Sequence, residues 1–253
     1  MTQMQNISCN LCGAKESKFL FQKNGYNIVQ CSKCGLAYVN PQPEKEEIKE
    51  FYKDHQEFYM ERYPRKERSK LRDARREIKR IRRLISPKKI DSSKILDIGC
   101  SCGFLLKEVQ DLGGDAFGID ISEWEVKYAR KKIGVRAEVR DFPGSKLPPE
   151  SFDVITMFDI LEHLLNPFQG LKECFQILKE GGILIVGTPD FGHPKAQREG
   201  KNWGHLKPPE HLFYFSLLTL KYLGEKTGFV YKGAFFRVPW KDGIKAIFEK
   251  PKH

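Results

Sequence analysis

Seven residues, Asp97-Ile98-Gly99-Cys100-Ser101-Cys102-Gly103, constrain this chain more than any other stretch of it. They lie between a strand-like run, Lys94–Ile98, and the apolar helix start Phe104-Leu105-Leu106. Small residues at 99, 101 and 103 let the backbone turn tightly and approach a ligand, with the next helix's N-terminus aimed at it. Asp120 ends the following strand-like run, 21 residues after Gly99. A carboxylate there can accept both hydroxyls of a ribose. The dinucleotide spacing G-x-G-x-x-G is not met; the loop reads G-x-S-x-G, with an acidic residue two positions before its first glycine.

Around this loop, strand and helix patterns alternate. Strand-like runs are Lys94–Ile98, Ala116–Asp120, Val135–Val139, Asp153–Phe158 and Gly182–Thr188. Helical stretches between them are Phe104–Leu112, Ser122–Lys132, Leu161–Leu165 and Gln169–Lys179. This rhythm predicts an α/β fold with a mostly parallel sheet covered on both faces. Phe229–Val238 and Gly243–Phe248 are separated by too short a connection for a crossover, so they should form an antiparallel hairpin. Upstream, Glu44–Tyr63 reads as a helix with Phe51, Tyr52, Phe58 and Tyr59 on one side, interrupted by Pro64. Arg65–Ser86 then places Leu71, Ala74, Ile78, Ile81 and Ile85 at the spacing of one helix face.

Four of the seven cysteines form two C-x2-C-G knuckles, Cys9/Cys12 and Cys31/Cys34, with 18 residues between them. Thiolates three positions apart on a tight turn can face one ion, and two such turns supply a tetrahedral four-sulfur site for structural Zn2+. Tyr26–Gln30 and Leu36–Asn40 are the strands expected around the second knuckle. Two disulfides are the alternative, but nothing else in the chain suggests an oxidising compartment. Cys100, Cys102 and Cys174 read as small packed residues.

Apolar residues make up 40% of the chain, enough for an ordinary core. Apolar runs such as Ile183–Val186 are strand-sized, so no membrane span is expected. The opening MTQMQNISCN lacks the pattern of a secretory signal, which points to a cytoplasmic protein. The net charge is +11, yet Glu61–Ile90 alone holds fourteen basic and four acidic residues. Any argument for an anionic partner therefore concerns that segment, where the charges surround the apolar stripe. The stripe should pack on the α/β domain or on a second subunit while the charges stay solvated. Relief of the remaining repulsion would suit an anionic acceptor such as a nucleotide-linked sugar or a glycan.

With its loop ILDIGCSCG, its second-strand motif GIDIS (Gly118–Ser122), Asp141-Phe142, FDVITMFDILEHLLNP and ILKEGGILIVGTPD, the chain resembles the class I S-adenosylmethionine-dependent methyltransferases over about residues 94–250. With the knuckles and PPEHLFYFS it looks most like their ubiquinone-biosynthesis-like, small-molecule branch. Ser101 stands where the family usually has its middle glycine. The resemblance implies a Rossmann-like seven-stranded sheet of order 3-2-1-4-5-7-6, with strand 7 antiparallel, and S-adenosylmethionine as cofactor. It puts Asp97 and Gly99 by the methionine moiety, Asp120 by the ribose and Asp141 by the adenine amine. Cys100, Ser101, Gly103, Ile121, Phe142 and Met157 complete that site. The organisation expected is a zinc ribbon over 1–44, a helical cap with the basic helix over 45–90, and a methyltransferase domain over 91–253, with 191–215 as a substrate lid.

The expected lid carries His193, Trp203, His205, Pro208, Pro209, Glu210, His211, Phe213, Tyr214 and Phe215, an unusual set for an idle loop. Asp159 and His163, four apart, should share a helix face, and Tyr52, Tyr59 and Tyr63 could close the other side. Methylation of a hydroxyl needs a general base, for which neutral histidine suits. His211 is the first candidate, with Glu210 or Asp159 orienting it, and His163 the second. The function expected is O-methylation of a sugar or other metabolite hydroxyl. RNA methylation is the main alternative, but MFDILEH lacks the N/D-P-P-Y/F/W loop that grips an exocyclic base amine, so a nucleic-acid partner is not favoured. A non-catalytic zinc scaffold is the other, opposed by the intact Asp97, Asp120 and Asp141.

Overall fold

The computed structural model describes residues 4–48, 56–84, 90–236 and 242–252. Its main sheet contains β6 (Lys94–Ile98), β7 (Asp115–Asp120), β8 (Ala137–Val139), β9 (Phe152–Phe158), β10 (Leu178–Pro189), β12 (Val230–Phe236) and β13 (Gly243–Glu249). Their order is β12-β13-β10-β9-β6-β7-β8. Numbered within the sheet this is 3-2-1-4-5-7-6 read from the other edge, mostly parallel with one antiparallel strand, as the sequence implied. β6 pairs in parallel with β7 and β9, and β7 with β8. The strands therefore end together, with Ile98 level with Ile119 and Met157.

The chain forms two compact units. The first comprises residues 55–158, 173–185 and 249–253. Within it Ile95, Ala116, Ala137 and Val154 of the strands pack with Leu106 and Val109 of α2 (Phe104–Asp111) and Val126 of α3 (Glu123–Tyr128). The long α1 (Gln56–Leu84) joins this core through Ile78 and Ile81, and Ala74 packs with Cys102 and Phe104. Two fully buried isoleucines contribute roughly 3–6 kcal/mol, against a few tenths per like-charge pair along the helix (roughly). Packing therefore decides where α1 lies. Its cations are partly answered: Arg75 pairs with Glu108, Arg76 with Asp73 and Arg80 with Glu77.

Three local expectations are corrected. Pro64 does not interrupt the helix; α1 runs through it, since a single missing N–H is tolerable where tertiary packing holds the rest. Leu161–Leu165 is not an α-helix but a 3-10 turn, Leu161–His163, because Asp159 takes a left-handed φ of 55° that stops regular helix from starting there. Ser122–Lys132 is split into α3 and a π-helical stretch, Ala129–Ile133. Tyr52 and Ile85 lie outside the described residues, and Tyr59 and Tyr63 fall in the first turns of α1.

The second unit comprises residues 1–54, 159–172 and 186–248. Here β2 (Ser17–Lys23), β3 (Tyr26–Cys31) and β4 (Ala37–Val39) make an antiparallel sheet whose fourth strand is β11 (Phe213–Tyr214). β1 (Met4–Gln5) pairs with β5 (Gln42–Pro43). The segment expected as a lid thus supplies a strand to the ribbon sheet, and Trp203, Phe213, Tyr214 and Phe215 are buried. Asn10 Oδ1 accepts from the Phe168 amide at the start of α4 (Pro167–Ile177) at 3.1 Å. Lys226, at the end of α6 (Leu217–Lys226), donates to the Leu11 carbonyl at 2.6 Å. Among the described residues no helix is long and apolar enough to cross a membrane.

Candidate active site

In the first unit, strand register sets Asp97 between Gly118 and Thr156. Thr156 Oγ1 donates to Asp97 Oδ1 at 2.6 Å, and both residues are buried. A Cβ on Gly118 would stand 2.6 Å from both Cys100 Sγ and Leu106 Cδ1, so the loop approaches β7 this closely only over glycine. Ser101 adopts φ 48°, the left-handed conformation that favours glycine. Its amide donates to Asp120 Oδ2 at 2.9 Å and its hydroxyl to Glu125 Oε1 at 2.7 Å, bonds that help hold the loop in this form. The other Asp120 oxygen accepts from the Ser122 amide at 2.9 Å. Burial raises the Asp120 pKa, opposed by the amides of Ser122, Ser101 and Ile121.

Ile121 is 55% exposed beside this carboxylate. Asp141 is exposed and Phe142 half-buried, following β8, while Met157 is buried in β9. Burial pushes the Cys100 thiol well up and the Cys102 thiol to about 12, helped by neighbouring carboxylates, so both are inert packed thiols.

In the second unit the four knuckle cysteines converge, with all four Sγ atoms within 4.8 Å of one another. Cys9 and Cys34 are 3.5 Å apart and Cys12 and Cys31 3.4 Å, too far for disulfides. The two knuckles repeat one geometry. Cys9 N–H donates to Ala14 O and Cys31 N–H to Leu36 O, and Gly13 and Gly35 both take φ 77°. Amides of Leu11 and Cys12 face the Cys9 sulfur, and those of Lys33 and Cys34 face Cys31. Burial raises the Cys9 thiol to about 11 and raises Cys34 as well, whereas at Cys31 the amides outweigh burial and bring the thiol to about 7. Thiols gathered this way suit a metal-bound thiolate set.

The same unit brings together His163, His211 and a residue the sequence did not single out, Glu162. The histidine rings lie 4.7 Å apart at 81°. One ligand atom from each of the three residues lies within 4.8 Å of the others. His163 Nδ1 is 2.7 Å from the Glu210 carbonyl oxygen, an acceptor, so Nδ1 carries the proton and Nε2 the lone pair. Glu210 acts on His163 through its charge and through this backbone carbonyl, both opposing burial. Thr188 Oγ1 donates to Glu162 Oε2 at 2.9 Å, while Glu162 Oε1 is buried with no hydrogen-bond partner. Burial, then the nearby Asp159 charge, pushes Glu162 well above the usual carboxylate range. Burial lowers His163, and burial together with His163 and Lys207 drives His211 down to about 2. Both rings are neutral at pH 7.

Glu162 could not be picked from the sequence, because its neighbours come from β10 and the segment before β11. The Leu212 amide donates to the Glu162 carbonyl at 2.8 Å, and the Val39 amide to the Leu212 carbonyl at 2.8 Å. These bonds tie the cluster to the ribbon sheet. The His205 backbone bonds the His211 ring, while the His205 Nε2 stands 3.6 Å from Asp242, which also takes Lys195 and the Trp203 indole N–H. His193 caps α5 (Pro194–Glu199), accepting from Lys195 N.

The sheet order, the glycine loop and the acidic residue ending β7 define a class I S-adenosylmethionine-dependent methyltransferase fold. Residues 70–232 match the family described as Methyltransferase domain, and the chain belongs to it. A ubiquinone biosynthesis O-methyltransferase of Roseobacter denitrificans is 34% identical over 112 residues, covering 42% of this chain and 45% of that protein. One from Pseudomonas fluorescens is 34% identical over 109 residues, covering 41% and 47%. The chain thus spans less than half the length of these curated relatives. An S-adenosylmethionine-dependent methyltransferase structure from Thermotoga maritima is similar with a TM-score of 0.58 and 24% identity, covering 79% of this chain and 98% of that one.

Proposed function

We propose that this protein transfers the methyl group of S-adenosylmethionine to a hydroxyl of a small molecule, such as a sugar or another metabolite. The observation that carries the reading is the neutral His163–His211 pair beside Glu162, whose backbone follows directly from β9. When bound, the cofactor supplies an electrophilic methyl group. Asp97 would bind its ammonium and Asp120 its ribose hydroxyls; Asp141 would accept the adenine amine, against which Ile121 offers an apolar face. Gly99, Cys100, Ser101, Gly103, Phe142 and Met157 complete the binding site. The task left to the chain is to hold the hydroxyl in line and take its proton. His163 Nε2, with its tautomer fixed by the Glu210 carbonyl, is the acceptor of that proton, and His211 packs against it. The relatives named as O-methyltransferases support a hydroxyl acceptor.

The four thiolates would hold Zn2+ in a closed structural site, and their convergence together with the paired amides facing Cys9 and Cys31 supports this. The exposed cations of α1, among them Arg72, Lys79 and Arg83, support an acceptor bearing an anionic group; its KM should then rise with ionic strength. Replacing His163 by Ala, and separately His211 by Ala, tests the base. Turnover is expected to fall at least ~100-fold for His163→Ala with cofactor affinity unchanged. Wild-type turnover in both variants would defeat the assignment.

A further inference from the structure

Three groups of the second unit present metal-binding atoms to one another in a buried setting. They are a carboxylate oxygen of Glu162, a ring nitrogen of His163 and one of His211, all within 4.8 Å of one another. We propose that Glu162, His163 and His211 form a second divalent transition-metal site, distinct from the four-thiolate cluster, and that an ion there blocks proton uptake by His163. The activity part of this proposal rests on the base reading above; the binding part does not.

Four observations carry it. Glu162 Oε1 is fully buried with no hydrogen-bond partner, an arrangement that a cation would relieve. The remaining atom of each residue is already fixed from behind: Glu162 Oε2 by Thr188 Oγ1, His163 Nδ1 by the Glu210 carbonyl, and the His211 ring by the His205 backbone. Such support is what ligating carboxylates and imidazoles receive in metal sites. The Nδ1 proton on His163 leaves the Nε2 lone pair for coordination. Finally, the donor set of two imidazoles and one carboxylate suits Zn2+, Co2+ or Fe2+ and keeps a coordination position open.

Charge at the site is mixed. Asp159 and Glu210 act on it from the same unit, and Lys207 opposes them. Ligand atoms around a tetrahedral zinc lie about 3.3 Å apart at ordinary bond lengths. Side-chain rotations must therefore draw the three atoms closer together than they stand here. Coordination occupies the His163 lone pair that would accept the acceptor's proton, so ion and proton exclude one another.

The test uses the whole protein, first stripped and then dialysed against Co2+ or Zn2+. Two equivalents are expected to bind. One shows the strong near-ultraviolet thiolate-to-Co2+ absorption of the ribbon, and the other lacks it. Glu162→Gln, His163→Ala and His211→Ala should each lose the second equivalent and keep the thiolate absorption, which also reports that the unit is folded. Methyl transfer should fall as the second Zn2+ equivalent fills. Only one equivalent bound by the wild type, or two retained by all three variants, would overturn the site. Two equivalents bound with undiminished turnover would overturn the block on proton uptake while leaving the metal site in place.

Discussion

Replacing Thr156 by Val removes one oxygen at nearly constant volume from the middle of β9. Its hydroxyl donates to Asp97 Oδ1 at 2.6 Å, with Thr156 fully buried and Asp97 nearly so. A hydrogen bond to a charged group contributes about 1.5–3 kcal/mol, and a buried carboxylate that loses a donor cannot recover it from water. For a chain of this size about 1 kcal/mol shifts the melting temperature by 2–4 °C, so a drop of about 3–12 °C is expected. The same carboxylate is assigned to the cofactor's ammonium, so S-adenosylmethionine should also bind more weakly. Differential scanning fluorimetry and titration calorimetry read the two effects. Thr156→Ser keeps the hydroxyl and loses a buried methyl group, so it should lose some stability but retain cofactor affinity. A Thr156→Val protein with the wild-type melting temperature and cofactor affinity would refute the reasoning about Asp97.

Two further outcomes follow from the same geometry. If the four thiolates hold Zn2+ as proposed, stripping it, or Cys9→Ser, should loosen the ribbon sheet and with it β11 and His211; turnover should then drop while cofactor affinity, assigned above to residues of the other unit, stays unchanged, and equal loss of both in kinetics and calorimetry would speak against this. Because burial raises Asp120 above its usual pKa, the carboxylate form proposed to accept the ribose hydroxyls is full at high pH and lost as pH falls through that raised value; calorimetry should show cofactor affinity declining from a higher pH than an ordinary aspartate would give, and Asp120→Asn should flatten that dependence.

Features written in contiguous residues could be read before the fold was known. The loop from Asp97 to Gly103, Asp120 at the end of its strand and the two cysteine knuckles each depend on neighbours only a few positions away. The strand order also followed, because short connections and βαβ handedness leave few topologies. Features made by distant chain segments could not be read in this way. β11 is a two-residue strand that exists because Phe213 and Tyr214 find Tyr38 and Ala37, partners in the ribbon far away in sequence. Glu162 looks like any acidic residue after a strand until Thr188 and the histidines surround it. Pro64 reads as a break because local propensity says so, yet the packing of Ile78 and Ile81 supports the helix of which it is part. Trp203, Phe213, Tyr214 and Phe215, read with the lid, are buried, and their apolar character serves packing.

The central claim is that residues 97–103 and Asp120 bind S-adenosylmethionine, and calorimetry on the pure protein tests it most directly. One equivalent should bind to the wild type. Asp120→Ala, which loses hydrogen bonds to a charged acceptor, should weaken binding by roughly 10-fold or more. No heat at millimolar cofactor, or an Asp120→Ala protein indistinguishable from wild type, would contradict the account.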